Sequence, residues 1–136
     1  MIKKVAILGL GALGTMYGKF FADSTGVANT YAIANAERIA RYRRDGILYN
    51  GKHCDFTYID IETKGEIMDL IIVATKGYHL EQAIKDMRNF VGEETVIISV
   101  LNGITSERRL IEVFGTERVL YCVAQGMSAV RTGNDL

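Results

Sequence analysis

Residues 5–18 read VAILGLGALGTMYG, from Val5 to Gly18: four apolar residues, a turn of glycines, and the opening of a segment with helical spacing. The run Val5 to Leu8 carries no polar alternation, as expected of a strand covered on both faces. Gly9, Gly11 and Gly14 then form G-x-G-x-x-G directly after that strand and at the head of the helical segment Ala12 to Asp23. The motif is common by chance, and the order strand, turn, helix is what makes it specific. In that order Gly9 permits a tight turn, Gly11 leaves no Cβ between backbone and a diphosphate, and Gly14 lets the helix lie close to the sheet. The first amides of the helix carry about half a positive charge and face the same anion. Gly9, Leu10, Gly11, Ala12, Leu13 and Gly14 are therefore the candidate phosphate-binding residues, while Gly18, one turn on, is assigned to packing. Two other readings are weaker. A glycine-rich helix entry can serve packing alone, and Lys3 and Lys4 before an apolar stretch resemble a short signal peptide.

Three more runs of the same buried character follow, Asp69 to Thr75, Thr95 to Leu101 and Arg118 to Ala124. A weaker strand, Thr30 to Ala34, and a polar alternating region from Ile47 to Ile61, read as a hairpin or edge strands, complete the set. Lys76 to Val91 places Leu80, Ala83, Ile84, Met87 and Phe90 on one helical face, with Glu81, Lys85, Asp86 and Arg88 elsewhere. Ser106 to Phe114 repeats the pattern, with Ser106 as N-cap and Gly115 as the stop. Asn35 to Asp45 is shorter and basic, and Gly46 ends it. Strands alternating with helices over short connections predict right-handed crossovers and a mostly parallel sheet between helical layers. The fold expected is thus α/β, doubly wound and of Rossmann type, with residues 1–136 forming one dinucleotide-binding domain. The tail from Gln125 to Leu136 has no closing element, and the natural polypeptide is expected to continue beyond it.

A chain of 136 residues buries about two thirds of its unfolded surface in one core. Sixteen basic and sixteen acidic residues leave no net charge. Nucleic acid and anionic membrane are therefore not expected partners, and any ligand must be held by local groups. No run approaches the ~20 apolar residues of a membrane span. Cys54 and Cys122 have no C-x-x-C spacing, and neither His53 nor His79 completes a metal set. Reduced thiols and a cytoplasmic protein are expected.

Domains of this kind that bind NAD place a carboxylate on the adenosine ribose at the end of the second strand. Here Ala34 and Asn35 stand at that place, with Arg38, Arg41, Arg43 and Arg44 just beyond. An added 2'-phosphate would be attracted, so NADP(H) is the expected cofactor, with Asn35 and Arg38 as its contacts. Glu37 argues the other way, and such an arginine run also suits a solvated helix face. Polar residues at strand ends are the remaining candidates, because ligands of open parallel sheets lie there. Thr75-Lys76-Gly77 follows one buried run and Asn102-Gly103 another. Lys76 offers a cation for a carboxylate or phosphate, and Asn102 an amide donor and acceptor. Each also has a plain reading, as a solvated lysine and a common turn pair. His79 is left outside the site.

Four stretches in this order, VAILGLGALG, IIVATKGYHLEQAI, SVLNGITSERRLIEVFGTERVL and QGMSAVRTGN, resemble the ketopantoate reductase (2-dehydropantoate 2-reductase) family over essentially the whole chain. The resemblance implies NADPH-dependent reduction of a 2-keto acid. It further implies that Lys76 and Asn102 line the nicotinamide and substrate pocket, as catalytic and cofactor-binding residues, with Ala129 near the nicotinamide end. Two departures matter. Many members carry an arginine directly at the end of the second strand, so a 2'-phosphate contact must shift here, to Arg38. The proton-donating lysine and most substrate-binding residues of the family belong to a second, helical domain of the polypeptide, which this chain lacks. Dinucleotide binding without appreciable turnover is expected of the chain alone. Rival readings are another 2-hydroxyacid or opine dehydrogenase, and a stand-alone regulatory dinucleotide sensor.

Overall fold

In the computed structural model, residues 2–75, 79–100 and 104–120 are described, with backbone alone at Ala12 and at residues 104–106. The first strand, β1 (Val5–Leu8), leads through the glycine turn into α1 (Ala12–Thr25). Strand β2 (Thr30–Ala34), helix α2 (Ala36–Asp45) and a short antiparallel pair, β3 (Ile47–Tyr49) and β4 (Lys52–Cys54), follow. Then come β5 (Thr57–Asp60), β6 (Leu70–Val73), α3 (Leu80–Met87), β7 (Val96–Ser99), α4 (Ile104–Phe114) and β8 (Val119–Leu120). Six strands form one sheet in the order β5-β2-β1-β6-β7-β8, and every pairing in it is parallel. Leaving the hairpin aside, this is the order 3-2-1-4-5-6 of the dinucleotide-binding α/β fold.

The sheet is covered on both sides because its central strands are apolar on both. Ala6, Leu8, Ile71 and Val73 point into a cluster with Leu80, Ile84 and Met87 of α3 and Leu110 of α4. Val5, Ile7, Leu70 and Ile72 point the other way, where Tyr17 and Phe21 of α1 pack on them. The uninterrupted apolar runs of the sequence are the mark of this two-sided burial. Gly18 is indeed a packing residue, since a Cβ there would lie 2.7 Å from the Phe56 ring.

Several elements differ from the sequence reading in extent. Helix α1 runs on to Thr25, and the glycine that ends it is Gly26, at φ +97°. The region 47–61, read as a hairpin or edge strands, holds a hairpin and then an edge strand, β5, parallel to β2. Helix α4 begins at Ile104, so Ser106 lies within its first turn and is not its N-cap. Gly46 and Gly115 end their helices as expected, at φ +78° and +94°, each returning its N–H to a carbonyl four residues back. Lys76, Gly77, Asn102, Cys122, Ala129 and the rest of the tail lie outside the described residues.

Asp69 fixes the level at which β1 and β6 start. Its carboxylate accepts the N–H groups of Lys3 and Lys4, both at 2.8 Å, while its own N–H donates to the Lys4 carbonyl at 2.9 Å. Those backbone hydrogen bonds hold its pKa below the ordinary 3.8. A lowered folded-state pKa stabilises at pH values above the ordinary one, and the contribution disappears as pH falls through the lowered value. Asp69→Asn should therefore melt at a lower temperature than wild type at pH 7, with the gap closing as pH drops below about 3.8. A gap that stays constant down to acid pH would show that the charge plays no part.

Candidate functional site

The glycine turn sits where the strand order reverses, between β1 and β6, at the carboxyl ends of both. Gly9 takes φ +100°, and a Cβ on it would lie 2.9 Å from Ala74 C and from Thr75 N. The turn is thus pressed onto the end of β6, and the Ala74 N–H donates to the Leu8 carbonyl at 2.8 Å. A Cβ at Gly14 would overlap the Gly9 carbonyl oxygen, so α1 can approach only with glycine there. At Gly11 nothing stands within 4 Å of a Cβ position. One glycine of the three therefore faces open space, and the other two are required by backbone contact.

Gly11 is the N-cap of α1, its carbonyl accepting Thr15 N–H at 2.9 Å, and no side chain caps this end. The first turn contains no acidic residue. In contrast α2, α3 and α4 carry Glu37, Glu81 and Glu107 in their first turns, and Asn35 caps α2 by accepting Arg38 N–H at 2.8 Å. The positive end of α1 is thus left for an external anion, in a helix whose first amides lack partners by geometry. An uncapped amide end, without a carboxylate and beside an open Cβ position, fits a diphosphate.

Beside the turn lies a cleft of about 350 Å³. Leu8 ending β1 and Gly9 after it, Ile33 and Ala34 ending β2 and Asn35 after them, and Thr75 after β6 line it. Arg38 of α2 lines it too, as do His79, Gln82 and Asp86, at and within α3. Gln82 donates to Asp86 at 2.8 Å, so α3 brings acceptors to the cleft and α2 brings a cation. The structure thus brings Gly9, Asn35 and Arg38 to one cleft. Asp60, in register with Ala34, turns its carboxylate to its own loop, accepting Glu62 N–H at 2.8 Å. Leu10 and Gly11 face a second hollow, of about 510 Å³, against Gly46 to Asn50 of the hairpin. Leu13 is half exposed at the head of α1. Lys76, Asn102 and Ala129 lie outside the described residues, although the elements that deliver the first two, β6 and β7, are adjacent and parallel.

Gln82 and Asp86 are not marked by the sequence, Thr75 enters it only as the residue before Lys76, and His79, outside the expected site, lines the cleft. For Thr75 a signal existed, since it ends the buried run at the favoured end of the sheet. Helical periodicity marks Gln82 and Asp86 only as off the apolar face, which says nothing about a cleft. Among the described residues no group of three His, Cys, Asp or Glu side chains is placed to hold a metal, and no helix is long and apolar enough to cross a membrane.

The family model described as ketopantoate reductase PanE/ApbA matches residues 5–134. The chain belongs to that family. It is 26% identical over 135 residues to 2-dehydropantoate 2-reductase of Aquifex aeolicus, covering 98% of this chain and 43% of that ketopantoate reductase. Among solved structures it resembles 2-dehydropantoate 2-reductase of Porphyromonas gingivalis, with a TM-score of 0.70, 25% identity, and coverage of 89% of this chain and 46% of the other. D-mandelate dehydrogenase with NADH and anilino(oxo)acetate also matches at TM-score 0.70 and 26% identity, covering 87% of this chain and 39% of the other. The chain therefore spans less than half the length of each of these proteins.

The two kinds of glycine should respond differently to alanine. Gly14→Ala is expected to cost about 1–3 kcal/mol or more in urea denaturation, because its methyl meets fixed backbone. Gly11→Ala should change stability by less than about 1 kcal/mol, yet weaken ADP binding by about tenfold or more. Equal ADP affinity in Gly11→Ala and wild type would remove the turn from the ligand site.

Proposed function

We propose that this chain is the NADPH-binding part of an oxidoreductase that reduces a 2-keto acid to a 2-hydroxy acid, namely 2-dehydropantoate to pantoate in pantothenate biosynthesis. One observation carries the reading: an uncapped, acid-free helix start, pressed by Gly9 and Gly14 onto the reversal point of a parallel sheet, opens beside a cleft with Arg38 on its wall. Membership of the ketopantoate reductase family supports the substrate class.

In this reading the amides from Gly9 to Gly14, with Leu10, Ala12 and Leu13 between, hold the diphosphate, and the cleft takes the adenosine half. Arg38 receives the 2'-phosphate. Asn35 borders the ribose while its Oδ1 stays on the α2 cap. The absence of a carboxylate on the β2 side of the cleft favours the extra phosphate, which must lie toward Arg38 and away from Asp86. Lys76 orients the keto acid by its charge, and Asn102 positions ribose and substrate by its amide. Ala129 borders the nicotinamide. When bound, NADPH supplies the hydride that the keto carbon accepts. The alkoxide oxygen then needs a proton, and its donor belongs to a second, helical domain of the same polypeptide. The chain alone is accordingly proposed to bind cofactor without appreciable turnover, in the cytoplasm. A different 2-keto acid is the second reading, favoured by the likeness to D-mandelate dehydrogenase; a substrate panel on the longer polypeptide separates the two.

Calorimetric titration tests the cofactor assignment. NADPH should bind this chain about tenfold or more tightly than NADH, and Arg38→Ala should erase that preference while leaving NADH affinity within about twofold. Tighter binding of NADH or ATP than of NADPH would overturn it.

A further inference from the structure

We infer that the side-chain hydroxyl of Thr75 is a cofactor-contacting group, donating a hydrogen bond to an oxygen of the adenosine-side ribose and diphosphate; this rests on the dinucleotide reading above. Thr75 lies just past β6, where its backbone N touches the space a Gly9 Cβ would fill, and it lines the floor of the cleft. It therefore belongs at once to the glycine turn and to the pocket proposed for adenosine.

Its hydroxyl is the anomaly. Among the described residues, Thr75 Oγ1 is the one buried side-chain nitrogen or oxygen without a hydrogen-bond partner. Other threonines of this chain behave differently. The hydroxyl of Thr30 donates to the Gly26 carbonyl at 3.0 Å and that of Thr25 to the Phe21 carbonyl at 2.8 Å. Thr95 donates to the Met68 carbonyl and accepts Gly92 N–H, both at 2.7 Å. A buried hydroxyl without a partner is costly, and each such group in a native protein calls for a reason. Valine would fill the same volume without that cost. A ligand oxygen arriving in the cleft supplies the missing acceptor. Thr75 has no bond to surrender when rotation about Cα–Cβ brings the hydroxyl to that oxygen, so the whole gain goes to binding.

The test compares wild type, Thr75→Val, Thr75→Ser and Thr75→Ala in the 136-residue chain, by calorimetric titration with NADPH and with ADP and by thermal melting. Thr75→Val should bind both ligands about tenfold more weakly, the fold-change of one hydrogen bond, while melting at or above the wild-type temperature. Thr75→Ser should stay within about twofold of wild type, and Thr75→Ala should share the valine defect, which covers the case in which valine does not fold. Unchanged affinity in the folded valine and alanine variants would overturn the inference. So would a loss for NADPH with ADP binding intact, or equal weakening in the serine variant. If wild type itself binds neither ligand, the dinucleotide reading has failed and this contact falls with it; a wild type that binds while Thr75→Val binds equally well sinks the contact alone.

Discussion

The backbone of the turn after β1 lies against the backbone at the end of β6 with no side chain between them, and that contact sets where the start of α1 meets the sheet. Gly9 supplies the left-handed conformation, and Gly14 admits α1 to the Gly9 carbonyl. With the turn pressed down in this way, the start of α1 is held at the point where the sheet changes direction. The ends of β2 and β6 then stand on either side of one opening. Larger residues at positions 9 or 14 would lift the helix from the sheet and separate the amides from the cleft.

Charge then distinguishes this helix start from the others. Helices α2, α3 and α4 each carry an acidic residue in the first turn, Glu81 of α3 also paired with Arg109, and α2 adds an asparagine cap. Helix α1 has neither. An end left in that state favours an outside anion by roughly the 0.3–1 kcal/mol of a helix-terminus charge interaction, with amide hydrogen bonds in addition. Arg38 adds a cation to the cleft, whereas Asp86 and Gln82 add acceptors that suit donors. Together they match a ligand that carries both an anionic group and hydrogen-bond donors.

Much of this was readable in the sequence because the two strongest signals are local. Two-sided burial makes β1, β6 and β7 continuous apolar runs, and glycines at positive φ mark where α2 and α4 stop. The candidate site was legible in the same local way at Gly9 to Gly14 and at Asn35 and Arg38, which flank the end of β2. What escaped is tertiary. Folding brings Gln82 and Asp86 of α3 to the same cleft as Arg38 of α2. No spacing in the chain encodes that meeting. Helical spacing is legible only to Asp23, while α1 runs two residues further to Thr25, where Gly26 ends it. Ser106 looked like a cap because its residue type suits one, yet the helix had already begun at Ile104. Asn35, which the sequence marks for ligand contact, is the residue whose side chain caps α2 by accepting Arg38 N–H.

The central claim is that a diphosphate meets the amides at the head of α1. Amide chemical shifts recorded by NMR while NADPH is added to the chain address it most directly. The account predicts the largest changes at Gly11, Ala12, Leu13, Gly14 and Thr75, with lesser ones at Asn35 and Arg38. Saturable binding that moves amides around the hollow between α2 and the hairpin, at Tyr42 to Ile47 and Cys54 to Tyr58, and leaves residues 11–14 unmoved would contradict it.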